Sequence, residues 1–417
     1  MLIFCLFCRE IPDIHENSGI FRGVSRESGE SWVGEGGTPA SKMEAAFGSK
    51  LSKTELQTLA FLLDTIVEEK LKSQPLSSSS ASSKAKSTSA VLVEEEEEFK
   101  KTLREKLTNP EAVFAFLNEE IDGQKEAKEV LSNALYYHFT NRFLHNNYDE
   151  VYTSLLLGPS GSGKTASVKR LAKFLDLPFV EVDATNLTPS GWAGDDIEKV
   201  VASRLALQSG GNPSKARRAI VFIDEVDKLR IKPGDKDGQH LKEGAQQALL
   251  KLLEGKKIVV SGEEVDTRDI LFICAGSFPG LTSLIAKRAG GVDAPGRLQE
   301  FQTKDLQDYG FIVEFLGRIF ETAVLDALDK DGMKRVLKKL IKKRATTLKD
   351  TEGVALTFES GAEDEIVNRA FNDPTGARVL SRLLKKVMHE DLFKIQDYKS
   401  KTLTITQAKV KSSLGIS

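Results

Sequence analysis

Gly158-Pro159-Ser160-Gly161-Ser162-Gly163-Lys164-Thr165 has the residue types and spacing of a loop that grips phosphate. Glycines let the backbone wrap close to an anion with its N–H groups turned inward, and a following helix adds the positive end of its dipole. Lys164 supplies a point charge for the β- and γ-phosphates, and Thr165 offers a hydroxyl to Mg²⁺. Such a loop works only between a strand and a helix. The apolar run Tyr152 to Leu157 precedes it, and Ala166 to Leu175 follows with Val168, Leu171, Ala172 and Leu175 at helical spacing. The context identifies a nucleoside triphosphate site.

A second element lies 59 residues on from Thr165, where Asp224-Glu225 ends the run Ala219-Ile220-Val221-Phe222-Ile223. A strand ending in two carboxylates sets them at the carboxyl edge of a parallel sheet, beside the phosphate loop. Asp224 is then a candidate for the Mg²⁺ shell with Thr165. Glu225 is a candidate general base for an attacking water. A glutamate at this place favours hydrolysis over transfer to a small-molecule acceptor.

These groups must be positioned by a sheet. Phe179 to Asp183 and Ile270 to Ala275 read as further strands, and strands alternating with helices imply a parallel sheet covered on both faces. Asn109-Pro110-Glu111 opens a helix with an N-cap, a proline in the first turn and an early acid. A longer helix then runs from Gln124 to about Phe143. Beyond about Asp329 the pattern becomes helical: Met333 to Lys349, Gly361 to Phe371 and Ala377 to Ile395, with one strand at Val354 to Phe358. The expected division is an amino-terminal region over 1–108, a large α/β ATPase domain over 109–328 and a smaller, mainly helical domain over 329–417. In the first of these, Ser52-Lys53-Thr54-Glu55 is a capping box for a helix to about Lys72, and Ser73 to Ser89 reads as a linker.

Composition bounds the rest. With 417 residues and a net charge of −2, the chain has room for two or three cores and shows no global basic field for nucleic acid. Three cysteines exclude a disulfide scaffold and suit a reducing compartment, the cytoplasm or alternatively the mitochondrial matrix. Cys5 and Cys8 lack two further zinc ligands nearby. No apolar run is long enough to span a bilayer.

From about residue 109 to 405 the chain resembles the ClpX and HslU family of AAA+ ATPases. The likeness is carried by the phosphate loop, Asp183-Ala184-Thr185-Asn186-Leu187-Thr188, Phe222 to Lys228, Glu243 to Gly255, Glu314-Phe315-Leu316-Gly317-Arg318 and Thr375-Gly376-Ala377-Arg378. The resemblance implies an AAA+ P-loop fold and a homo-oligomeric ring, usually a hexamer, that hydrolyses ATP with Mg²⁺ to unfold protein substrates. It implies that Arg318 reaches a neighbouring subunit's γ-phosphate, that Arg378 is a second sensor and that Ser277 is the polar first sensor. Ile121 falls at the adenine-packing position. Gly191-Trp192-Ala193-Gly194 aligns with the pore loop that grips substrate, with Trp192 where the family usually has tyrosine. The loop from Gly280 to Asp305 lacks the Ile-Gly-Phe tripeptide that docks a peptidase, and Lys256 and Lys257 are the only basic residues at the second pore loop. The expectation is a diverged unfoldase, with a peptidase-independent machine and a regulatory subunit of a protease both left open by the missing tripeptide. A nucleotide-gated scaffold and a nucleic-acid remodelling ATPase stay open as alternatives.

Overall fold

The computed structural model describes residues 81–188, 195–232, 234, 236–291, 297–359, 361–373, 375–398 and 401–415. The helix expected at Ser52 to Lys72 and the Gly191-Trp192-Ala193-Gly194 loop lie outside these residues, as do Cys5 and Cys8.

The strands, in chain order, are β1 (Ser154–Leu157), β2 (Phe179–Asp183), β3 (Leu187–Thr188), β4 (Asp195–Asp196), β5 (Ile220–Asp224), β6 (Lys257–Val260), β7 (Glu263–Asp266), β8 (Leu271–Gly276), β9 (Glu321–Val324), β10 (Ala355–Phe358) and β11 (Thr402–Ile405). Five of them form the central sheet in the order β2-β5-β8-β1-β9, and all its pairings are parallel. The interior strands are apolar because both faces are covered. Along β5, Val221 and Ile223 enter one core while Ile220 and Phe222 enter the other. The period-2 alternation therefore divides the strand between two layers of helices. Each such fully buried side chain contributes about 1.5–3 kcal/mol relative to exposure.

Two features differ from the sequence expectation. The core already contains Phe99, Leu103 and Leu107, which lie on a helix spanning Ala81–Lys106. Packing thus begins ahead of Asn109, and the second half of the Ser73 to Ser89 stretch is helical instead of a linker. The apolar spacing of those three residues outweighs the solvated Glu94 to Glu98 run, because one buried stripe is enough to dock a helix. The sheet also has a fifth strand, β9, which the sequence reading left unassigned.

The carboxyl-terminal region has its own core of Leu337, Ile366, Leu380, Met388, Ile405 and Val410, among others. Its first helix, Lys330–Glu352, is capped by Asp329, which accepts from the Gly332 amide at 2.7 Å. It stops where Gly353 takes a left-handed φ of 68°. Helices Ala362–Phe371 and Arg378–Phe393 pack on it, Gln407–Leu414 packs on those two, and β10 pairs in parallel with β11. Arg335 and Lys339 reach Asp122 at 3.2 Å, tying this region to the loop that carries Ile121.

Candidate functional site

The phosphate loop leaves the end of β1, where Leu157 stands beside Gly276 of β8 and Val324 of β9. Gly158 is required there by close approach: a Cβ would lie 2.5 Å from the Leu325 carbonyl oxygen. Gly163 adopts φ 102° and caps the helix Lys164–Phe174, a turn only glycine makes without strain. That helix is held by Val168, Leu171 and Ala172, which enter the core under β1. Pro159 and Ser160 are exposed at the loop's crest, while Ser162 is buried.

Lys164 is buried, and its Nζ donates to the carbonyls of Gly158 at 2.6 Å and Pro159 at 2.9 Å. Burial presses the ammonium below the ordinary lysine range, against an upward pull from Asp224. A cation pressed this way is stabilised by an arriving polyanion. The Ser162 hydroxyl is buried with no hydrogen-bond partner. Together these observations fit a phosphate group.

Beyond the loop, an open cleft of about 450 Å³ is lined by Thr165, Glu181, Asp183, Asp224, Glu225 and Arg378. The Thr165 hydroxyl lies 3.4 Å from Asp224 Oδ2. One hydroxyl and one carboxylate are hard oxygen donors, and no group of three or more acidic, histidine or cysteine ligands exists among the described residues. That donor set fits Mg²⁺, which keeps waters and takes phosphate oxygens in preference to an all-protein cage. Asp224 Oδ1 accepts the Glu225 amide at 2.9 Å. Glu225 takes φ 55°, turning away from the strand direction, and its Oε2 accepts the Thr185 hydroxyl at 3.0 Å.

The structure brings four of the residues expected from sequence into this one cleft: Thr165, Asp224, Glu225 and Arg378. Arg378 opens the helix Arg378–Phe393, and the turn before it lies on the phosphate loop. A Cβ on Gly161 would meet the Thr375 carbonyl oxygen at 2.7 Å and the Ala377 nitrogen at 2.8 Å, and one on Gly376 would meet the Ser160 carbonyl oxygen at 2.8 Å. Backbone thus packs on backbone between the two regions.

Other expected residues stand elsewhere. Ser277 is exposed just past β8, and its amide donates to Asp227 Oδ1 at 3.0 Å. Asp227 is itself buried, with the Lys228 ammonium 3.5 Å away. Ile121 is partly buried outside the cleft lining, and its loop is joined to the phosphate loop by Gln124. The Gln124 amide donates to the carbonyls of Ser162 at 3.1 Å and Asp326 at 2.9 Å. Arg318 is outside the cleft of its own chain and pairs with Glu254 at 2.7 Å. Tyr309 and Phe311 are buried, stack on each other and make tilted ring contacts with Phe278, so Tyr309-Gly310-Phe311 is core and not a docking tripeptide.

Glu181, Asp183, Thr185 and Gln124 were not singled out as site residues from sequence. In the structure β2 pairs Asp183 directly with Asp224, so the end of β2 shares the edge that holds Glu225, a neighbourhood that strand order creates and no local sequence signal carries.

Comparison with known proteins places this geometry. A family described as "AAA domain (Cdc48 subfamily)" matches residues 149–322, and one described as "C-terminal, D2-small domain, of ClpB protein" matches residues 328–396. A Porphyromonas gingivalis protein named ATP-dependent Clp protease ATP-binding subunit ClpX is 33% identical over 350 residues, covering 75% of this chain and 84% of the relative. A Wolinella succinogenes ClpX is 36% identical over 332 residues, 74% of this chain and 83% of its own length. A Methylococcus capsulatus ClpX is 35% identical over 344 residues, 70% and 78% respectively. With a phosphate loop, an Asp-Glu strand end and an arginine on the following helical region all in place, the chain belongs to the ClpX family of AAA+ ATPases.

Proposed function

We propose that this ATPase is a protein unfoldase and translocase that works as a homo-oligomeric ring of six subunits in the cytoplasm. One observation carries the reading: Thr165, Asp224, Glu225 and Arg378 line a single cleft, contributed by the phosphate loop, the sheet and the helical region together. A nucleotide bound there touches both regions, so its hydrolysis changes the contact between them. That is how a chemical step becomes motion.

Within this reading, Lys164 and the loop amides bind the phosphates, and Ile121 packs on the adenine. Thr165 and Asp224 hold Mg²⁺, which when bound neutralises developing charge on the phosphates. Glu225 accepts a proton from the attacking water as the water oxygen bonds to the γ-phosphorus and the bond from that phosphorus to the bridging oxygen breaks, the electron pair leaving with ADP and the new hydroxyl staying on phosphate. Arg318 serves the neighbouring subunit's site, Arg378 links the γ-phosphate to the angle between regions, and Ser277 acts as first sensor. Gly191-Trp192-Ala193-Gly194 is the substrate grip. The relatives are named as ATP-binding subunits of a protease, but the loop from Gly280 to Asp305 lacks the docking tripeptide. The proposed machine therefore unfolds proteins without a docked peptidase, and no nucleic acid or membrane partner is needed.

The test is ATP-dependent unfolding of a tagged, stable model protein, with and without a Clp-type peptidase. Unfolding that needs hydrolysable ATP and no peptidase is expected. ATP turnover with no unfolding would favour a nucleotide-gated scaffold, and unfolding only with the peptidase present would favour a protease subunit.

A further inference from the structure

The helix Lys236–Glu254 makes two sets of contacts away from the cleft. Near its middle, Gln246 is fully buried, and its side chain makes three hydrogen bonds. It donates to the Leu229 carbonyl at 2.9 Å and the Gly310 carbonyl at 3.1 Å, and it accepts from the Ile312 amide at 2.9 Å. Leu229 ends the turn Val226–Leu229 that directly follows Glu225. Gly310 and Ile312 lead into the short helix Val313–Leu316, after which comes Arg318. The two segments are also joined directly, since the Ile231 amide donates to the Gly310 carbonyl at 2.9 Å. A Cβ on Gly310 would lie 2.2 Å from the Ile231 carbonyl oxygen, so the segments touch with no room between them. A buried amide with its bonds satisfied fixes the spacing of what it joins.

At the helix end, Glu254 meets the Arg318 guanidinium by one edge. Nε donates to Glu254 Oε1 at 3.0 Å and Nη2 donates to the same oxygen at 2.7 Å. A guanidinium has five N–H donors in a rigid plane. Two are used on this edge, which leaves three directed away from Glu254. The Arg318 side chain is 46% exposed, so the outward edge faces solvent.

We propose that Glu254 is a positioning residue for Arg318: it grips one edge of the guanidinium so that the other edge is aimed outward at a neighbouring subunit's nucleotide. Gln246 completes the arrangement by fixing the Arg318 segment to the turn behind Glu225, so one helix connects a subunit's own hydrolytic edge with the arginine it lends. This rests on the reading that Arg318 acts in trans. The strength of the pair does not matter, since an exposed ion pair adds little stability. Its value is orientation.

Mixed rings test it. Subunits with Arg318→Ala keep their own Glu225 but lend no arginine, and subunits with Glu225→Gln lend the arginine but do not hydrolyse. A reference mixture of the two, with mixing verified, recovers ATP hydrolysis if Arg318 acts in trans. Adding Glu254→Ala to the Glu225→Gln subunits should then lower the recovered kcat by about 10–100-fold, with KM for ATP unchanged. Adding Glu254→Gln, which keeps the accepting oxygen, should restore part of the loss. Placing Glu254→Ala in the Arg318→Ala subunits should leave the rate within about twofold of the reference, because the pair is already gone there. An equal fall in both placements, or a lower melting temperature, means that Glu254 is merely structural and overturns the assignment. A rate unchanged or raised with Glu254→Ala in the lending subunit overturns it too, the rise marking a latch in place of an aim. No recovery in the reference mixture overturns the trans reading itself, and the assignment with it.

Discussion

Thr185 donates its hydroxyl to Glu225 Oε2 at 3.0 Å, across from the end of β2 to the end of β5. Glu225 stands in left-handed backbone, a conformation that costs a non-glycine residue energy and needs its surroundings to hold it. Its amide is held by Asp224 and its carboxylate by Thr185, so both ends of the residue are fixed. A general base must meet its water within hydrogen-bond reach, and a carboxylate free to swing spends less time there. Thr185→Val keeps shape and removes the donor. We expect kcat for ATP to fall about tenfold or more with KM little changed, and Thr185→Ser to retain most activity. Steady-state ATPase kinetics on both variants decide it, and a Thr185→Val enzyme of normal kcat would show that the bond does no work in the cycle.

Glu225→Gln and Lys164→Ala should fail differently. Loss of the base should reduce turnover by about 10²–10⁴ while nucleotide still binds. Lys164, pressed by burial and closed over the loop carbonyls, is assigned to the phosphate-binding surface in the proposed cycle. Its replacement by alanine should abolish ATP affinity measured directly by calorimetry. Tight ATP binding by Lys164→Ala, or unimpaired hydrolysis by Glu225→Gln, would reverse the assignment concerned.

How these elements were readable explains why others were not. The phosphate loop and β5 announce themselves within a dozen residues, since glycine spacing and a continuous apolar run are local signals. The Thr185–Glu225 bond joins residues 40 apart, Gln124 reaches Ser162 across 38, and Glu254 meets Arg318 across 64. No periodicity encodes such pairs; only the strand order brings them together. β9 escaped because Glu321-Thr322-Ala323-Val324 is short and half polar, as an edge strand tolerates. The β6–β7 hairpin does carry a local signal: Ile258, Val260 and Val265 alternate inward around the turn Ser261-Gly262.

Gly161→Ala should uncouple the helical region from the phosphate loop. Gly161 has φ 78°, and its new methyl would lie under 3 Å from the backbone of Thr375 and Ala377, which cannot yield as a flexible side chain would. The turn must move, carrying Arg378 away from Thr165 and Glu225. We expect ATPase activity to drop more than ATP affinity, and the mirror substitution Gly376→Ala, aimed at Ser160, to do the same. Wild-type activity and melting temperature in both variants would mean that this backbone contact is not kept in solution.

The last expectation concerns acid stability. His138 is buried behind the sheet, its Nε2 2.9 Å from the Asp269 carbonyl, to which it donates as the neutral ring. Burial pushes its pKa down to about 3, outweighing the raising effect of that carbonyl. In the unfolded chain histidine titrates near 6.5. Between those values the unfolded state holds the proton and the native state does not, so stability rises with pH across this window and is lost as pH falls. The histidine contributes fully above about pH 6.5, and by pH 5 about 2 kcal/mol of that is gone. His138→Gln keeps a donor for Asp269 and cannot titrate. Its denaturant midpoint should therefore change less than that of the parent between pH 7 and pH 5, after subtraction of the loss common to both. Equal pH slopes for the two proteins would show that His138 is protonated in the native state or exchanges its burial before unfolding.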